Sequence, residues 1–170
     1  MKRAFFTLIF FILTVSVSSA QKTNEVPSLK DLAAWASKSY TEFQTEVVKF
    51  KFTFKEEKED YWTKLTKYVY QRKPVQGDSI VADRVVFRLS SDGQSSIEVF
   101  FSEDLVTLYS GQLSSNNFKK AECRVGVGEN SIQYCYSNEV YNLTITATKQ
   151  TGDSGKSVTS YSALIYKKRV

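Results

Sequence analysis

"VVFRLSSDGQSSIEVFF", residues 85–101, gives the clearest structural signal in the sequence. Apolar residues alternate with polar ones on both sides of Ser91-Asp92-Gly93. A three-residue loop with glycine in the left-handed position is a common hairpin connection, and it brings the apolar residues of both strands onto one face. The predicted pairs are Val85 with Val99, Phe87 with Ile97, and Leu89 with Ser95.

Residues 1–20, "MKRAFFTLIFFILTVSVSSA", have the three-part pattern of a secretory signal peptide. Lys2 and Arg3 precede an apolar run that ends in small residues, and cleavage is expected after Ala20. The apolar run is shorter than the ~20 residues that span a bilayer, so we expect no transmembrane segment after cleavage. We therefore predict a secreted or periplasmic protein with a flexible lead at residues 21–27 and a single domain at residues 28–170.

An amphipathic helix is predicted to begin the domain, at residues 28–46. Ser28 is a suitable N-cap, Asp31 completes an acidic variant of the capping box, and the apolar residues share one face. The next residues, Val48–Lys55, alternate apolar residues with lysine or threonine and predict a strand whose apolar face packs on this helix. The lysines on its other face are expected to be solvated or to form a partner site. They are Lys49, Lys51 and Lys55.

The sequence does not decide every later element. For residues 56–74, "EEKEDYWTKLTKYVYQRKP", an acidic start and a basic end favour a helix, whereas the Thr, Tyr and Val content favours a strand, and of the two we favour the helix. Residues 103–113 read equally as strand or helix. Two more hairpins are predicted at about 120–137 and 140–167, and we find no internal repeat. Together these elements predict an α+β fold, with an N-terminal amphipathic helix packed on a largely antiparallel sheet built from hairpins.

Cys123 and Cys135 are the two cysteines of the chain, and oxidising conditions outside the cytoplasm permit a disulfide between them. A Gly128-Glu129-Asn130 loop places the two cysteines opposite each other across a hairpin. A two-residue turn at Gly128-Glu129 instead puts them on opposite faces and prevents the bond. The compartment favours a disulfide, while the register leaves both arrangements open.

The sequence offers little support for catalysis. It contains no histidine, which excludes His-based triads and His-ligated zinc. Gly155-Lys156-Ser157 matches the end of a P-loop, but Gln150 stands where the opening glycine belongs, and a strand is predicted where the motif needs a helix. We therefore predict a non-enzymatic protein with no cofactor and no metal. Carboxylates that can still meet in space are Asp78, Asp83, Glu98, Glu103 and Asp104.

The charge of the chain argues against nucleic acid as a partner. Removal of Lys2 and Arg3 with the signal peptide lowers the formal net charge from +5 to +3. The remaining basic residues are interleaved with acidic ones, whereas a nucleic-acid binder concentrates its basic residues in a patch.

Three functional interpretations follow. We favour an exported binding domain that engages a protein partner or an apolar ligand, because the predicted sheet faces carry many aromatic residues. The alternative is a carbohydrate or cell-surface binding module that stacks tyrosines on sugar rings. A small outer-membrane β-barrel matches the chain length but not the predicted helix. The tyrosines of the candidate surface are Tyr134, Tyr136, Tyr141, Tyr161 and Tyr166.

Overall fold

The structure is a computed structural model of the chain, and it describes residues 26–72, 83–101, 104–123, 128–151, 155 and 157–169. The predicted signal peptide and residues 21–25 of the predicted lead lie outside the described residues. Within these ranges the chain forms three short α-helices and an eight-stranded antiparallel sheet, which confirms the predicted α+β class. None of the helices in that part of the chain is long and apolar enough to cross a membrane.

Two short helices replace the single N-terminal helix that the sequence predicts. Helix α1 spans Leu29–Trp35 and helix α2 spans Tyr40–Val47. The predicted cap is confirmed, since the Ser28 side chain accepts a hydrogen bond from the backbone N–H of Asp31. Ser39 begins a second capping box, which gives α2 its own start and interrupts the predicted helix.

The predicted strand at Val48–Lys55 is wrong in its first half. Val48–Phe50 forms a 3-10 turn after α2, and strand β1 spans Thr53–Asp60. The alternating pattern misleads because the ring of Phe50 packs edge-on against Trp35 of α1, with 5.2 Å between ring centroids. The aromatic residues of this segment therefore lie partly in a helical turn and partly in a strand.

Seven further strands complete the sheet. Strands β2 to β8 span Leu65–Gln71, Arg84–Leu89, Ser95–Phe101, Lys119–Lys120, Ser131–Ser137, Tyr141–Thr151 and Ser157–Lys167. The strand order is β1-β2-β3-β4-β8-β7-β6-β5. Helix α3, Leu105–Leu113, lies in the segment that the sequence left undecided and connects β4 to β5. The three residue pairs predicted for the β3–β4 hairpin are confirmed, and Gly93 takes the expected left-handed conformation with φ of 80°.

The helix favoured for residues 56–74 is wrong, because β1 and β2 form a hairpin there. The carboxylate of Asp60 builds the turn by accepting hydrogen bonds from the backbone N–H groups of Trp62 and Thr63. The acidic residues of β1 do not lie directly opposite basic residues of β2, since Asp60 is opposite Leu65 and Lys58 is opposite Lys67. Lys67 reaches Asp60 diagonally, with 3.4 Å between Nζ and Oδ2.

The topology repeats although the sequence shows no repeat. In each half, helical structure precedes a four-stranded meander, and the last strands of the two meanders, β4 and β8, pair at the centre of the sheet. The two halves therefore share one strand topology.

The helices pack on one face of the sheet and form the core with it. Tyr109 of α3 is fully buried there, and Val26 packs against the same cluster, so the end of the predicted flexible lead belongs to the domain. Burial of these large apolar side chains is the dominant stabilising contribution to such a fold. The cluster includes Leu29, Leu32, Trp35, Phe43, Val47, Phe52, Tyr70, Val85, Phe87, Ile97, Val99, Phe101, Leu105, Tyr109, Leu143, Ile145, Ala163 and Ile165.

Candidate ligand-binding face

The face of the sheet opposite the helices is the candidate functional surface, and we call it the uncovered face. Successive residues of a strand point to opposite faces, so the strand registers assign its members. Its central apolar residues, Val69 and Val86, are buried but lie outside the core that the helices form. The other members include Gln71, Arg84, Arg88, Ser96, Glu98, Phe100, Gln133, Cys135, Asn142, Thr144, Thr146, Thr148, Ser160, Ser162, Leu164 and Tyr166.

An ion pair lies near the middle of this face. Arg88 of β3 donates through Nη2 to the carboxylate of Glu98 on β4. Burial, and to a smaller extent the charge of Arg84, holds the pKa of Arg88 below its ordinary value. The Nε atom of Arg88 is buried and has no hydrogen-bond partner among the described residues. Glu98 is thus engaged as the counter-charge of a partly buried arginine.

A groove of about 420 Å³, which we call the Arg84 groove, lies beside this ion pair. Its volume is within the range of small-molecule sites. The guanidinium of Arg84 lies over the ring of Phe100, its cross-strand neighbour, with 3.9 Å between Cζ and the ring centroid. Arg84 is exposed, and no carboxylate in the described part of the chain forms an ion pair with it.

The walls of the Arg84 groove are amphipathic. Val69, Phe100 and Val158 supply apolar surface, and Lys55 adds a second positive charge at the rim. Glu56 also lines the groove, but Lys58 pairs with it at 2.9 Å. The hydrogen-bonding residues of the walls are Gln71, Thr148, Gln150, Thr159, Ser160 and Ser162.

A second groove, of about 340 Å³, lies on the β6–β8 side of the same face. Glu98 and Glu122 give it negative charge, and Thr144, Thr146 and Ser162 give it hydroxyl groups. It is therefore less suited than the Arg84 groove to an anionic ligand.

The two cysteines meet at the rim of this second groove. Their Sγ atoms lie at disulfide distance, 2.06 Å apart, so the predicted pairing of Cys123 with Cys135 is confirmed. Neither predicted register is correct, because β5 pairs Lys120 with Tyr136 and its ladder ends there. Cys123 thus reaches Cys135 from beyond the end of β5. Part of the turn between them, residues 124–127, lies outside the described residues.

The structure does not bring the five candidate tyrosines onto one surface. Tyr136, Tyr141 and Tyr161 are half-buried and pack against the helix-covered core, and Tyr134 shares their side of the sheet. Tyr166 lies on the uncovered face. The Tyr141 hydroxyl is also engaged, 2.6 Å from Oγ of Ser37. Four of the five tyrosines therefore share the helix-covered side of the sheet, and Tyr166 lies on the other side.

The three candidate lysines are separated as well, because they do not share one strand. Lys49 lies in the 3-10 turn and pairs with Glu46 at 3.0 Å. Lys51 ends that turn with a left-handed φ of 64°. Of the three, Lys55 alone lines the Arg84 groove.

Each candidate carboxylate that the structure describes is bonded to another group of the chain. Asp83 pairs with Arg72, while Asp104 caps helix α3. Hydrogen bonds, chiefly from the Thr107 hydroxyl, hold the pKa of Asp104 below its ordinary value. Asp78, Glu103 and Lys156 of the P-loop match lie outside the described residues. The described ranges contain no group of three or more His, Cys, Asp or Glu residues that could hold a metal ion.

Sequence reasoning missed Arg84, Phe100 and the exposed pair Tyr61 and Trp62. A signal for the first two existed, because the confirmed pairing of Val85 with Val99 places Arg84 opposite Phe100 on the other face. Comparisons of the chain with protein-family models, curated proteins and solved structures find no match.

Proposed function

We propose that the protein is an exported, non-enzymatic binding domain whose ligand is an apolar molecule carrying a carboxylate or similar anionic group. The observation that carries the proposal is the Arg84 guanidinium, which is stacked on Phe100 in the groove and forms no ion pair with any carboxylate that the structure describes. The planar guanidinium can bind an anionic head group through two parallel hydrogen bonds. Val69 and Val158 supply surface for the apolar part of the same ligand.

The arrangement of the groove supports binding more than catalysis. A nucleophile needs a neighbouring general base, and the carboxylates of Glu56 and Glu98 are paired with Lys58 and Arg88. The hydroxyl groups of Thr148 and Ser160 line the groove without a histidine to activate them, since the chain contains none. They are suited to hydrogen bonding with a bound ligand.

Export is the second part of the proposal, and it rests on the pattern of residues 1–20. The disulfide-distance pair Cys123 and Cys135 is compatible with an oxidising compartment. We expect the mature protein recovered from the medium or the periplasm to begin at Gln21. Retention of Met1 in the cytoplasm would contradict this part of the proposal.

Calorimetric titration with octanoate tests the binding activity. 1-Octanol is the matched control, because it has the same chain length and no charge. We expect one octanoate site per chain and a dissociation constant at least about tenfold higher for octanol, since charge-assisted hydrogen bonds contribute about 1.5–3 kcal/mol. Absence of octanoate binding, or equal affinity for octanol, would count against an anion-directed groove.

A further inference from the structure

The turn between β1 and β2 presents two adjacent aromatic side chains to solvent. Tyr61 is 74% exposed and Trp62 is 89% exposed. Their rings meet edge to face, with 5.4 Å between centroids, and Nζ of Lys64 lies 4.7 Å from the centroid of the Tyr61 ring. We call Tyr61 and Trp62 with Thr63 and Lys64 the aromatic tip. Rings in this position add nothing to the core, so a role outside the chain best explains them.

Three backbone N–H groups of the aromatic tip have partners within the turn. The N–H groups of Trp62 and Thr63 donate to Oδ1 of Asp60 at 3.1 Å and 3.0 Å. The N–H group of Lys64 donates to the carbonyl oxygen of Asp60 at 2.8 Å. Amide groups without partners strongly oppose transfer out of water. Because these three N–H groups keep their partners, they do not oppose transfer of the tip out of water.

We infer that the aromatic tip docks on a lipid bilayer, with the rings of Tyr61 and Trp62 at the level of the head groups. Tyr and Trp are enriched at this level because each ring has an apolar body and a polar group. Hydrogen bonds, first that from the backbone of Thr63, hold the pKa of Asp60 below its ordinary value. The charged Asp60 therefore limits the tip to the interface and keeps it out of the hydrocarbon.

The charges around the tip indicate that the rings carry most of the attraction. Residues 56–67 contain three lysines and four acidic residues, so this end of the hairpin has a formal charge of −1. Lys67 pairs with Asp60, and Lys58 pairs with Glu56 of the same strand. Anionic lipid and added salt should therefore change binding only modestly.

The shape of the tip favours a bilayer over a protein partner. A stable protein interface buries about 800 Å² on each side, which two rings at the end of a hairpin do not supply. The adjoining edge of β1 is a row of charged residues, typical of a strand edge that resists pairing with another chain. A bilayer requires no complementary surface and accepts a small protrusion.

Vesicle binding followed by tryptophan fluorescence tests the inference, independently of the Arg84 groove. The full chain contains two tryptophans, and Trp35 is 2% exposed, so Trp62 alone should respond to lipid. With vesicles of phosphatidylcholine, or of equal parts phosphatidylcholine and phosphatidylglycerol, we expect co-sedimentation and a blue shift of the emission. Protein that stays in the supernatant with both vesicle types would overturn the inference.

The double substitution Tyr61→Ser with Trp62→Ser is the test variant. Ile132→Ser is the matched control, because Ile132 is 60% exposed on β6 and away from the tip. We expect the double variant to remain folded by circular dichroism and to bind vesicles at least about tenfold more weakly, since two aromatic side chains lose their contact. The control should bind like the parent protein. A double variant that still binds like the parent would contradict docking through the tip.

Discussion

The hydroxyl of Tyr109 donates a hydrogen bond to the carbonyl oxygen of Pro27, 3.0 Å away inside the core. Tyr109 belongs to α3, whereas Pro27 directly precedes the capping residue Ser28 of α1. A second bond joins the same elements, since the N–H of Leu29 donates to Oε1 of Gln112 at 2.9 Å. The entry of the chain into the domain is thus fixed to the helix that begins its second half.

Alkaline pH should destabilise the fold through Tyr109. Burial raises the pKa of this phenol, whereas tyrosine in the unfolded chain titrates near about 10. The folded state then holds a proton that the unfolded state loses. The stabilising contribution is therefore present below about pH 10 and declines as the pH rises above that value. We expect the urea midpoint to fall progressively as the pH rises above about 10.

Tyr109→Phe isolates this contribution. Because the variant lacks the hydrogen bond to Pro27, it should be about 1 kcal/mol less stable at neutral pH. Its stability should also fall less steeply at alkaline pH. Part of the decline should persist, because burial also raises the pKa of Tyr40. An alkaline decline as steep as that of the parent protein would show that Tyr109 does not contribute.

The two tryptophans should differ sharply in their importance for stability. Trp35 is buried and contacts Phe43 and Phe50, with ring centroids 5.6 Å and 5.2 Å away, whereas Trp62 is exposed. Trp35→Ala should cost about 3–5 kcal/mol in chemical denaturation. Trp62→Ala should change stability by less than about 0.5 kcal/mol. Similar losses of stability in the two variants would contradict the buried position of Trp35 and the exposed position of Trp62.

The pair Cys123 and Cys135 should stabilise the second half of the sheet. A disulfide between residues with a sequence separation of 12 lowers the conformational entropy of the unfolded chain. Loss of such a bond typically costs about 2–4 kcal/mol of folding stability. Cys123→Ser with Cys135→Ser, or reduction of the parent protein, should lower the urea midpoint. Two free thiols in the exported protein by mass spectrometry, with no change of midpoint on reduction, would contradict the bond.

The β3–β4 hairpin could be predicted because all its determinants are local. Gly93 sets the turn, and the apolar alternation on both sides sets the register. The β1–β2 hairpin could not, since Lys64 takes a positive φ of 55° without glycine or asparagine to signal it. Its charges also mimic the acidic start and basic end of a helix.

The central pairing of β4 with β8 could not be predicted from the sequence. It joins residues far apart in the chain, such as Phe100 and Ser162, and no short-range signal specifies such a contact. One wall of the candidate site could be predicted from the sequence, because the β3–β4 register places Arg84 opposite Phe100. The other wall depends on β4 meeting β8, which brings Ser160 and Ser162 to the groove.

Arg84→Gln should weaken the binding of an anionic ligand while leaving the fold intact. The side chain is exposed and its loss removes one stacking contact, so stability should change by about 1 kcal/mol or less. Octanoate should bind at least about tenfold more weakly, while octanol binding should be unchanged. Arg169→Gln is the matched control, since Arg169 is exposed, pairs with Asp92 and does not line the Arg84 groove. A control that lost as much affinity would point to a general charge effect.

Amide chemical-shift mapping during an octanoate titration tests the central claim most directly. We expect the largest shifts at Phe100, Thr148 and Ser160, which line the Arg84 groove, with little change at Leu32 of helix α1 on the other side of the sheet. These shifts should require a higher ligand concentration in Arg84→Gln than in Arg169→Gln. Shifts confined to the helix-covered side, or none at all, would contradict a ligand site on the uncovered face.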